Sequence, residues 1–98
     1  MNKKYFAVLT DNIERTREKL VNTIPSSFIK GKLKSSLLLF DDSVAIIATS
    51  KDYKIKFQGC TLSSIEFMDY FSHVDEEMIK YLKAHITKNA PIKYMILI

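Results

Sequence analysis

The chain has 98 residues, 47% of them hydrophobic, and a formal net charge of +4 from 15 basic and 11 acidic side chains. These values are ordinary for a globular protein and fit one domain over residues 1–98. Cys60 is the sole cysteine, which excludes an intramolecular disulfide and suits a reducing, cytoplasmic setting. No apolar run approaches the roughly 18 residues of a membrane span; the longest, Leu37 to Ala48, is cut by Asp41 and Asp42.

Tyr5 to Thr10 reads as a first strand. The stretch resembles a signal peptide only briefly, because its apolar part is short and runs into Asp11, Glu14 and Arg15. Asp11 is placed to cap a helix, with Glu14 three positions on. Ile13, Leu20, Val21 and Ile24 then share one helical face, and Pro25 predicts an end near Thr23. Over residues 28–36, Lys30, Lys32 and Lys34 alternate with Ile29, Gly31 and Leu33, a pattern that fits an edge strand or an ordered loop.

Leu37 to Phe40 and Val44 to Thr49 flank Asp41-Asp42-Ser43 as a β-hairpin of two central strands. After a Lys51-Asp52 turn, Tyr53, Ile55 and Phe57 alternate with Lys54, Lys56 and Gln58, which predicts a half-buried strand ending at Gly59. Ser63 and Glu66 form a capping box for a second helix carrying Ile65, Met68 and Phe71. Ser72 and Asp75 repeat that signature, followed by Glu76 and Glu77, acids that suit a helix N-terminus. A kink or a third helix is expected there. Met78, Leu82, His85 and Ile86 continue an apolar stripe until Asn89 and Pro91. The almost wholly apolar stretch from Ile92 to Ile98 predicts a final strand slotted between others and buried.

The order is β-α-β-β-β-α-β. It predicts an α+β two-layer sandwich, a mostly antiparallel sheet of four to five strands with two or three helices on one face. A ferredoxin-like split βαβ arrangement is compatible with this order.

Chemistry-bearing residues are few. Cys60, His73 and Asp75 could form a nucleophile, base and orienting group, but no nucleophile elbow or oxyanion loop surrounds Cys60. His73, Asp75, Glu76 and His85 carry metal-binding atoms, yet the histidines are twelve apart and the acids suit a helix start. Asp41 and Asp42 are turn neighbours rather than carboxylates facing across a cleft. The only glycines, Gly31 and Gly59, belong to no phosphate-binding loop.

Lys30, Lys32, Lys34, Lys51, Lys54 and Lys56 would make one basic surface if their segments pair, a candidate for nucleic-acid phosphates. Lysine excess alongside many isoleucines also reflects an AT-rich coding bias. Tyr70, Tyr81 and Tyr94 supply amphipathic aromatic area of the kind enriched at protein interfaces. The expectation is a small, non-enzymatic cytoplasmic module that binds another protein, a regulator or inhibitor of bacterial or phage type. Homo-oligomer formation through a strand edge is one form of this. Nucleic-acid binding by the lysine set is the alternative, and a small enzyme using Cys60 or His73 the third reading. No cofactor, metal or membrane partner is implied.

Overall fold

The computed structural model describes residues 4–68, 75–86 and 92–94. At its centre is β1 (Lys4–Leu9), whose KYFAVL sequence is apolar on both faces. Such a strand needs covered neighbours on both sides. It pairs in parallel with β4 (Ser43–Ala48) and with β5 (Leu62–Phe67). On the β4 side, β3 (Ser36–Leu39) and β2 (Ile29–Lys32) follow in antiparallel pairing; β6 (Ile92–Tyr94) lies parallel to β5. Among the described residues the sheet has six strands in the order β2-β3-β4-β1-β5-β6.

The domain is thus α+β, with a mixed sheet in place of the mostly antiparallel one expected from sequence. Three of its five strand pairs are parallel. The final strand was expected between others, as in a ferredoxin-like fold. Instead β6 ends the sheet among the described residues. Residues 95–98 of that expected strand lie outside the described residues.

Parallel neighbours cannot be joined by a tight turn, so each requires a crossover. The first is α1 (Ile13–Thr23). Its cap is Asn12 rather than Asp11: the Asn12 Oδ1 accepts the Arg15 amide at 3.0 Å. The helix ends at Thr23 as expected, because Ile24 before Pro25 is extended. Ile13, Leu20, Val21 and Ile24 pack onto Phe6, Val8, Ala45, Ile47, Leu37 and Leu39.

The second crossover corrects a sequence expectation. Tyr53–Lys56 is a short helix, α2, and not a strand. Positions 53, 55 and 57 fit a period of two, but 53 and 57 are also one helical turn apart. Tyr53 and Phe57 are buried while Ile55 is 76% exposed, the helical outcome. The turn is nucleated by Asp52, whose Oδ1 accepts the Thr49 amide at 2.7 Å. Gly59, at φ 76°, lets the chain leave it.

The third crossover reverses another expectation. Leu62–Phe67 is β5, not the start of a helix. The register shifts between Tyr5 and Phe6, where Leu62 and then Ser64 are the successive partners. That bulge puts Leu62 and Ile65 in the same buried cluster although they are three apart. A bulged strand therefore imitates helical spacing. The helix proper, α3 (Glu76–His85), is capped by Asp75, whose Oδ1 accepts the Met78 amide at 2.8 Å. The expected kink at 72–74 lies outside the described residues.

α2 and α3 cover the face opposite α1. Tyr53, Phe57, Met78 and Leu82 pack there on Ala7, Leu9, Ala48, Leu62, Ile65 and Phe67. Helices on both faces replace the expected two-layer sandwich, because the crossover after β1 runs to one side and those after β4 and β5 to the other. The β3–β4 hairpin is as expected, with Asp42 at φ 65° in its turn and the Asp41 Oδ1 accepting the Ser43 amide at 3.0 Å.

The helical reading of Tyr53–Lys56 has a direct test in urea unfolding. Phe57→Ala should cost about 3–5 kcal/mol. Ile55→Ala should stay within about 0.5 kcal/mol of the parent. A strand with both side chains on one inner face would give a large loss for each.

Candidate functional site

β1 and β4 are adjacent and parallel, and the helices that follow them leave to opposite faces. In open α/β sheets the crevice beyond the carboxyl ends of such strands is the usual place for a ligand. Here Thr10 continues from β1, its amide bonded to the Ala48 carbonyl at 3.0 Å. The buried Thr16 hydroxyl donates to Thr10 Oγ1 at 2.7 Å, and Thr10 Oγ1 also accepts the Asn12 amide at 3.1 Å. These bonds tie the first turns of α1 to the end of the strand.

Three pieces of chain wall a cavity of about 480 Å³ at this crevice. α1 contributes Ile13, Glu14 and Arg17; the β2–β3 connection contributes Lys34 and Ser35; α2 and its cap contribute Lys56 and Asp52. The β2–β3 tip is held over the strand ends, because the Ile47 amide bonds the Ser35 carbonyl at 2.8 Å and Arg17 Nη1 reaches the Leu33 carbonyl at 3.3 Å. Lys56 Nζ sits 3.0 Å from Asp52 Oδ2 and donates to the Ile47 carbonyl at 3.0 Å.

Burial pushes the Asp52 carboxyl up, but the Thr49 amide and Lys56 more than offset this and hold it below the usual carboxylate value. A depressed value in the folded state stabilises the fold above the unfolded value near ~3.9 and loses that contribution as pH falls through the folded one. Asp41 is lowered in the same way by hydrogen bonds from the Ser43 hydroxyl and amide.

The six lysines singled out in the sequence are distributed rather than pooled. Lys34 and Lys56 meet at the crevice. Lys32 lines an adjoining depression of about 380 Å³ with Arg17, Glu18, Val21 and Asn22. Lys30 lies apart from it, beside Leu38, Asp42 and Val44. The β2–β3 register shifts between Ile29 and Gly31, so the alternation of Lys30 and Lys32 is broken and the two diverge. Lys54 is drawn to Glu77 of α3, and Lys51 is exposed in the turn after β4. Arg17, which joins the two depressions, carries no sequence signal of its own, because α1 mixes it with Arg15, Lys19 and the acids Glu14 and Glu18.

Of the three tyrosines, Tyr81 is half-buried and internally engaged. Its hydroxyl donates to the Lys54 carbonyl at 2.8 Å, and its ring stacks on His85 at 4.1 Å and meets Tyr53 edge-on at 5.3 Å. Tyr94 lies on β6, and Tyr70 falls outside the described residues. Cys60 is half-buried against the α2–α3 cluster, while His73 is outside the described residues. Among the described residues no group of three His, Cys, Asp or Glu could hold a metal ion, and no helix is long and apolar enough to cross a membrane.

No protein-family model matches the sequence, and no curated protein matches it significantly. Among solved structures the chain is similar to the large terminase from a thermophilic bacteriophage in complex with ADP. The likeness has a TM-score of 0.55 at 12% identity, over 98% of this chain and 26% of the terminase. The chain therefore spans about a quarter of that protein, and at this identity the likeness is one of fold.

Asp52→Asn should lower stability at pH 7 by about 0.5–1 kcal/mol, a partly exposed charge-assisted contact. Urea midpoints measured from pH 7 downward should stay apart until pH falls below the ordinary carboxylate value of about 3.9, and should converge on the parent's only as it passes through the lower folded value, where the parent carboxylate is protonated too.

Proposed function

We propose that this chain is a non-catalytic binding module that accepts an extended segment of a partner protein along β2. The observation that carries this reading is the open outer edge of β2 beside exposed aromatics. No strand lies beyond Ile29–Lys32 among the described residues. An unpaired edge is a ready template for a further strand. Phe28 and Phe40 are 40% and 59% exposed and stand together at one end, the Phe40 amide bonding the Phe28 carbonyl at 3.0 Å. Leu33, 53% exposed, stands at the other. Large apolar side chains at both ends of an open edge give an incoming segment somewhere to bury its own.

Lys30 and Lys32 bear on the choice of partner. β2 carries both and no acid. Two copies pairing through β2 would bring like charges together, which disfavours self-association by this edge. An acidic, β-branched segment of a different protein meets the charge instead. The fold likeness to a bacteriophage terminase supports a phage setting, in which a module of this size would act as a regulator or inhibitor. The chain has only Gly31 and Gly59 and no glycine-rich phosphate loop, which supports a role without nucleotide hydrolysis of its own.

The test places a photo-crosslinking amino acid at position 30 and, as a control, at position 76 on α3. One dominant protein adduct from position 30, lost in a Phe28→Ser/Phe40→Ser variant that still folds, is expected. Identical adducts from both positions, or an adduct indifferent to the phenylalanine changes, would refute the β2 edge as the working surface.

A further inference from the structure

We infer that the crevice beyond β1 and β4 is a binding site for a phosphate group, held by Arg17, Lys34 and Lys56. Three independent features meet there. Topology supplies the first: two adjacent parallel strands end here and send their helices to opposite faces, the kind of position at which open α/β sheets take ligands. The second is the cavity of about 480 Å³, within the range of small-molecule sites.

Charge is the third. Three cations and two carboxylates, Glu14 and Asp52, line the cavity, an excess of one positive charge. Asp52 is already engaged by the Thr49 amide and by Lys56, so these two charges offset each other. The Lys56 ammonium, bonded to Asp52 and to the Ile47 carbonyl, has one N–H left for a ligand, and the excess charge is that of Arg17 and Lys34 against Glu14. Lys34 is exposed and has no hydrogen bond or ion pair among the described residues. Arg17 is anchored through one terminal nitrogen to the Leu33 carbonyl, which leaves the rest of its fork for an oxyanion. Ser35 adds a hydroxyl donor on the same wall. Because Arg17 also borders the depression that holds Lys32, a ligand with more than one phosphate can extend along α1.

The phosphate can belong to a small phosphorylated molecule or to a nucleic-acid backbone, and the experiment separates the two. Backbone amide spectra are recorded at low salt while the protein is titrated with inorganic pyrophosphate and, separately, with a single-stranded oligothymidylate. Shifts centred on Glu14, Arg17, Ser35 and Asp52 are expected. Saturation by pyrophosphate identifies a small ligand, whereas saturation by the oligonucleotide alone identifies a backbone, with affinity that falls as salt rises.

Arg17→Gln/Lys34→Gln should weaken binding at least tenfold. Lys34→Glu alone should do nearly as much, and because that side chain is exposed and unbonded the fold is not at risk. Lys54→Gln, on the Glu77 side, should change binding less than twofold. Failure of both probes to shift the crevice amides, or an equal loss in the Lys54 variant, would overturn the site.

Discussion

The structure depends on the parallel pairing of β1 with a neighbour on each side. A strand that is apolar on both faces must be covered on both, and parallel neighbours must be reached by crossovers. From that requirement come the helix after β1, the helix after β4 and the strand-helix-strand ending. The β2–β3 hairpin is the one departure. It extends the sheet on the β4 side by antiparallel pairing and leaves β2 at the edge.

The same requirement positions the polar groups. Because the chain leaves β1 toward one face and β4 toward the other, neither α1 nor α2 closes over the ends of these strands, and an opening remains between the two helices and the β2–β3 tip. Thr10, Thr16 and Asn12 fasten one wall of the opening; Thr49, Asp52 and Lys56 fasten the other. The Ser35 carbonyl, bonded to Ile47, closes the third side. These groups lie far apart in sequence and are brought together by strand order alone. The edge of β2 and the crevice are separate surfaces: the first offers backbone and aromatic area, the second charge.

Legibility in the sequence followed the range of the interaction concerned. The first strand, the length of α1, the Asp41–Ser43 turn, both central strands of the hairpin and the acidic start of α3 were all readable, because each is set by neighbours a few residues away. Residues 53–57 and 62–67 were misread for a shared reason. In a segment of five or six residues, apolar positions four apart satisfy a helix and a strand alike, and a bulge shifts a strand's period toward three. For the candidate site, the lysines were visible but their grouping was not. A bulge in β2 separated Lys30 from Lys32, and Glu77 claimed Lys54.

Taken alone, the sequence determined that the chain builds an α+β domain around strands apolar on both faces, capped helices and turns at fixed places, because propensity, capping and hydrophobic period act locally. It also determined that no glycine-rich phosphate loop and no intramolecular disulfide can form. Only the tertiary structure decided that the sheet is mixed, that helices cover both its faces, and that Arg17, Lys34 and Lys56 share one opening. The physical reason is that strand order is chosen by long-range burial and crossover geometry, in which every segment's partner lies outside its own window of sequence.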